Sequence, residues 1–186
     1  MAFWLAPGER SEGQLARNTN TLSPYILTKD VTIGYKRWPQ VLAYRVTFSI
    51  PAGAHHHSAQ FEALTGYMPE DFSSFWQFDT STGKLKPLSD GPGEISSPVV
   101  LATADGKFAM GIFAPPQSQP ETTGPNFGRW RFQWAHVVKW NCVYRVQNPQ
   151  SIRDGDYSYR MLVPFGTLAE VENMLRDWQN WHAETP

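Results

Sequence analysis

The sequence predicts an all-β protein, an antiparallel β-sandwich closed by one C-terminal helix. Three observations carry that expectation. Segments that alternate apolar and polar residues recur at short spacing along the 186 residues. Turn chemistry separates them, with Gly at 14 positions and Pro at 15. Only the last segment has helical periodicity, so the crossover helices that parallel strands require are missing.

The elements follow in order. Residues 25–35 have β-rich composition, with Thr28, Val31, Thr32 and Ile33. In 42–50, Leu42, Tyr44, Val46, Phe48 and Ile50 share one strand face, and Pro51 removes the next backbone donor. A short strand is expected over 61–67 and a helical turn over 69–75, with Pro69 opening it and Glu70 and Asp71 in its first turn. Trp76-Gln-Phe78 alternates again before the turn signal Ser81-Thr-Gly83. Residues 99–113 read as a hairpin about Asp105-Gly106. Residues 115–128 read as a long proline-rich loop. Trp130, Phe132 and Trp134 then alternate with Arg129, Arg131 and Gln133; Val138, Trp140, Cys142, Tyr144 and Val146 alternate with Lys139, Asn141, Val143 and Arg145. Tyr157, Tyr159, Met161 and Val163 make the last strand. Thr167-Leu-Ala-Glu170 has capping-box spacing, and Leu168, Val171, Leu175 and Trp178 form an apolar helical stripe. The helix should cover a sheet face or edge, and the aromatic end Trp178-Gln-Asn-Trp181-His182 packs either there or on another chain.

The length fits one domain over 1–186, either complete or a portion of a longer protein. A net charge of −1 argues against a nucleic-acid or anionic-membrane partner. No apolar run approaches the ~20 residues that span a bilayer, and the first ten residues lack the build of a signal peptide. Compartment and oligomeric state are left open. The lone Cys142 excludes an intramolecular disulfide; its apolar segment predicts a buried, inert thiol. No nucleophile elbow, phosphate loop or dinucleotide fingerprint occurs.

Two constellations could carry chemistry. The first is His55-His56-His57 with Glu62 five residues on, because imidazoles near neutrality bind metals or move protons. His55 and His57 project to the same side of an extended chain, and His136 could add a distant nitrogen. The second is sugar-directed. Pyranose rings offer apolar C–H faces fringed by hydroxyls, so a site for them pairs aromatics with polar side chains. Arg129 to Trp134 supplies aromatics on one face and donors on the other. Lys139, Asn141 and Arg145 continue the polar face, while Asp90 and Glu94 lie on a glycine-rich loop. Trp76 is a further aromatic candidate.

Two resemblances bear on these. His55-x-His57-x4-Glu62, preceded by Pro51-x-Gly53, resembles the first metal-binding motif of the cupin family, although the glycine usually ahead of that motif is missing. It implies a divalent transition metal on His55, His57, Glu62 and His136. The rhythm of Phe61-Glu-Ala-Leu-Thr-Gly-Tyr-Met68, Thr103-Ala-Asp-Gly-Lys-Phe-Ala-Met-Gly111, Val137-Val-Lys-Trp-Asn-Cys142 and Gly166-Thr-Leu resembles the galactose mutarotase-like supersandwich class. That likeness implies a supersandwich-like fold that binds or reworks a carbohydrate or related polyhydroxylated ligand without a cofactor. Epimerases of the class pair a glutamate base with histidine acids, which matches Glu62 or Glu94 with His55, His57 or His136 by residue type. The expectation is therefore a carbohydrate-recognising β-sandwich, catalytic or not. The alternatives are a cupin-like metal-dependent enzyme and a non-catalytic interaction module of aromatic strands.

Overall fold

The computed structural model describes residues 2–115 and 121–184, with side chains through Gln179. A minor hairpin, β1 (Arg10–Ser11) and β2 (Gln14–Leu15), precedes two antiparallel sheets. The larger is seven-stranded: β3 (Ile26–Tyr35), β4 (Trp38–Ile50), β13 (Gly155–Gly166), β10 (Ala109–Gly111), β9 (Val99–Ala102), β6 (Ser74–Asp79) and β7 (Lys84–Pro87) in spatial order. The smaller is four-stranded: β5 (Ser58–Pro69), β12 (Val137–Gln147), β11 (Thr122–Phe132) and β8 (Gly93–Ile95). The helix α1 spans Leu168–Glu184.

The sheets pack face to face because each long strand alternates. Val46, Ile50, Tyr157, Tyr159, Met161 and Val163 from the larger sheet meet Phe61, Met68, Trp140, Cys142, Tyr144 and Val146 from the smaller in one buried cluster. Tyr144 and Tyr159 stack across the interface with ring centroids 4.1 Å apart. Trp140 fits there because its register partner on β5 is Gly66, where any Cβ would overlap the indole. The other face of the larger sheet carries a second cluster in which α1 buries Val171, Met174, Leu175 and Trp178. The capping box forms as the spacing predicts. Thr167 N donates to Glu170 Oε2 at 2.7 Å and Glu170 N to Thr167 Oγ1 at 3.3 Å. The layers thus run helix, seven-stranded sheet, four-stranded sheet. Neither α1 nor the larger sheet covers the outer face of the four-stranded sheet.

The fold class agrees with the sequence, and two local expectations are corrected. Residues 69–75 form no helical turn of the kind expected. Phe72 N closes a single turn on Pro69 O at 3.1 Å, and β6 begins at Ser74, which pairs with Ala102. The expected loop over 115–128 gives way to strand from Thr122, because β12 offers a full ladder of partners. The register shifts between Thr123 and Asn126, around Pro125, which has no N–H to give. Its residues 116–120 lie outside the described residues, as do the side chains of Trp181 and His182. Trp178 is buried against Trp38 and Phe113 within the chain's own second cluster. Among the described residues no helix is long and apolar enough to cross a membrane.

Candidate functional site on the open sheet face

The outer face of the smaller sheet follows from the parity of β12. Since Val138, Trp140, Cys142 and Tyr144 point into the core, Lys139, Asn141 and Arg145 point out. Partners in register share their face, so Tyr67 and Trp130 flank Lys139, Thr65 and Gly128 flank Asn141, and Gln60 flanks Arg145. Glu94 on β8 lies opposite Gly128.

These side chains form a connected polar surface. Glu62 Oε1 accepts from Lys139 Nζ at 2.7 Å and from Asn141 Nδ2 at 2.7 Å. Asn141 Oδ1 in turn accepts from Gly128 N at 3.0 Å, which fixes the orientation of the amide. Arg145 grips Glu94 through two hydrogen bonds, at 2.7 and 2.8 Å, and donates its Nε to Gln60 at 2.9 Å. The Lys139 ammonium stands 4.8 Å from the centroid of the Trp130 ring and 5.5 Å from that of Tyr67. The Trp130 indole lies across Gly128, where any larger residue would collide with it. Tyr67 is 65% exposed. The result is an aromatic platform beside oriented donors and acceptors, with two carboxylates balancing two cations.

Burial pulls the Glu62 carboxyl upward, but hydrogen bonds from Lys139, Asn141 and Thr65 together outweigh it and leave the pKa below the ordinary value. Glu62 therefore stays ionised and acts as an acceptor. The doubly bonded Glu94 raises the pKa of Arg145, so the guanidinium remains charged.

The structure brings together Glu62, Glu94, Trp130, Lys139, Asn141 and Arg145 among the expected site residues and places the others elsewhere. Arg129 and Arg131 face the opposite way from the expected donors. Phe127, Arg129 and Arg131 are in register with Cys142, Trp140 and Val138, so the arginines project inward and Trp130 outward. Arg129 is 9% exposed and is held by Ser89, with Nε to the carbonyl at 3.1 Å and Nη2 to Oγ at 2.9 Å. Arg131 stacks 5.1 Å from Phe75, bonds Asp90 at 2.9 Å and reaches the Ser73 carbonyl at 3.0 Å. A planar guanidinium on an apolar stem tolerates this position because loop oxygens satisfy it. Asp90 is thus engaged in tethering the loop. Trp76 packs in the helix-side cluster. Trp134 lies beyond the strand, in the 3-10 turn Gln133–Ala135.

The histidines are also apart. His57 immediately precedes the β5–β12 pair Ser58–Gln147, whereas His136 precedes Val137 at the other end of β12. Ten residues of strand separate those ends, roughly 30 Å at the usual rise. His136 bonds Glu70 at 2.9 Å. The inward-turned member of the cluster is His56, whose Nε2 meets the Tyr25 hydroxyl, while His55 and His57 are exposed. Among the described residues no three His, Cys, Asp or Glu side chains are grouped to hold a metal ion. Cys142 is fully buried, and burial pushes its thiol up to about 12, which leaves no thiolate near neutrality. A disulfide reagent is accordingly expected to label the native protein negligibly over hours and to release one equivalent per chain only on denaturation.

Sequence reasoning missed Tyr67 and Gln60 as site residues. A bulge opposite Cys142 and Val143 breaks the alternation of β5 between Glu62 and Thr65, so no simple period links Gln60 and Glu62 with Tyr67. No family model and no curated protein matches this sequence. What fold and site define is an antiparallel β-sandwich with one helix-covered face and one open, polar-aromatic face.

Proposed function

We propose that the protein recognises a neutral carbohydrate, or a related polyhydroxylated ligand, on the open face of the four-stranded sheet. The observation that carries this reading is the Trp130 indole laid across Gly128, beside Glu62, Lys139 and Asn141. An aromatic surface of this kind receives the C–H face of a sugar ring, and the Glu62 carboxylate and Lys139 ammonium beside it receive its hydroxyls, with the buried Asn141 amide holding Glu62 in place. Charge balance favours a neutral ligand over a uronate or a sulfated sugar. The supersandwich resemblance points to the same ligand class. Recognition without catalysis is the simpler form of the reading. Glu62 has the lowered pKa of an acceptor, and an epimerase would need an imidazole converging with a carboxylate on the substrate.

Saturable quenching of tryptophan fluorescence by a panel of neutral mono- and oligosaccharides tests the proposal. The affinity is expected to be flat between pH 5 and 8. A depressed carboxylate is fully ionised above its unperturbed pKa and loses its charge only as pH falls below that value, so Glu62 does not titrate in this window. A histidine-dependent site would instead lose affinity or activity across pH 6 to 7. Absence of quenching by the whole panel would contradict the proposal.

The interaction-module alternative draws on a separate observation. Among the described residues no strand pairs with the outer edge of β3, which exposes Ile26 (59%), Val31 (50%) and Ile33 (78%). A concentration-dependent rise in mass by light scattering, abolished by Ile33→Lys, would favour it.

A further inference from the structure

We infer a second binding site, for a small carboxylate with an apolar body, on the opposite side of the molecule from the sugar face. It lies where α1 leaves β3, β4 and β13 uncovered. Arg45 and Arg160 are direct antiparallel partners on β4 and β13, so their side chains leave the same sheet face from adjacent strands. Like charges placed directly opposite each other destabilise a sheet. Asp30 lies in register with Arg45 on β3, yet among the described residues neither guanidinium has a carboxylate oxygen within 4.0 Å. The contrast with Arg131 and Arg145 is plain, since each of those holds a carboxylate. Asp30, Arg45 and Arg160 are all exposed and open to a ligand, and a local rule broken without internal compensation is expected at a functional site.

The same residues border a cavity of about 410 Å³, within the range of small-molecule sites. Its lining changes character along the strands. The charged row Asp30, Arg45 and Arg160 is followed two residues on by Thr32, Ala43 and Leu162. Tyr35 and Pro115 complete the apolar end. One row step is about 7 Å, so a ligand with its head on the guanidiniums lays a short apolar body along Ala43 and Leu162. With one acid and two bases the row has a net charge of +1, which suits a monoanionic carboxylate better than a phosphate dianion. The paired forks match carboxylate geometry, and the two arginines become neutralised when it binds.

Calorimetry on the full chain with octanoate, 1-octanol and inorganic phosphate tests this. Octanoate is expected to bind at one site with a low-millimolar or tighter Kd, and both other probes at least tenfold more weakly. Arg45→Gln and Arg160→Gln should each weaken octanoate at least tenfold. Both variants should also melt at or above the wild-type temperature without ligand, because the repulsion is gone. Ala43→Phe, which fills the cavity and keeps both arginines, should block octanoate as well, and Trp130→Ala should leave it unchanged. No saturable octanoate binding, equal affinity for 1-octanol or phosphate, or full binding by both arginine variants would overturn the inference.

Discussion

Replacing Trp130 with alanine is expected to weaken sugar binding at least tenfold while leaving the melting temperature within a few degrees of wild type. The indole rests on the open face, partly buried, and belongs to neither of the buried clusters among the described residues. Its loss removes the stacking surface and one wall of the Lys139 environment, and tenfold corresponds to about 1.4 kcal/mol. Gly128→Ala should reproduce much of the defect without deleting any ring. A Cβ there would collide with both the indole and Asn141 Oδ1 and lift the platform away from Glu62 and Asn141. Trp130→Phe should recover part of the affinity. Titrating the three variants with whichever neutral sugar quenches the wild-type protein separates these outcomes, and unaltered affinity in Trp130→Ala would contradict the site.

The largest stability effect is expected at Trp140→Ala, with a loss of about 3–5 kcal/mol, the range for deleting a buried aromatic. Trp140 is 2% exposed and fills the space between β12 and β5 that Gly66 leaves open. Gly66→Ala alone should cost about 1–3 kcal/mol through overpacking. In the Trp140→Ala background the same change should cost nearly nothing, because the atoms it would strike are gone. Urea unfolding of the two single variants and the double variant measures this coupling. Additive costs would show that the two residues do not share one space.

The architecture was legible wherever a strand buries one face against a deep core. Val46, Trp140 and Tyr159 alternate with polar neighbours, and their burial follows from period two alone. The capping box and the Asp105-Gly106 hairpin were equally legible because their chemistry is local. β11 was not, since aromatics and arginines alternate there and either set can face inward. What decided it was pairing with β12, a long-range fact, together with the oxygens of Ser73, Ser89 and Asp90 waiting for the guanidiniums. The site was legible in residue type but not in grouping. Glu94 meets Arg145 only because β8, β11 and β12 are neighbours in that order. His136 and His57 are parted by the length of β12. Bulges in β5 and β11 hid Tyr67 and blurred the start of β11.

A residue-resolved NMR titration of the labelled protein, with a neutral sugar that quenches its tryptophan fluorescence, locates the sugar site. The amide shifts are expected to concentrate at Thr65, Tyr67, Gly128, Trp130, Lys139 and Asn141. Shifts centred instead on 55–57, or on β3 and α1 with the open face silent, would contradict the proposal.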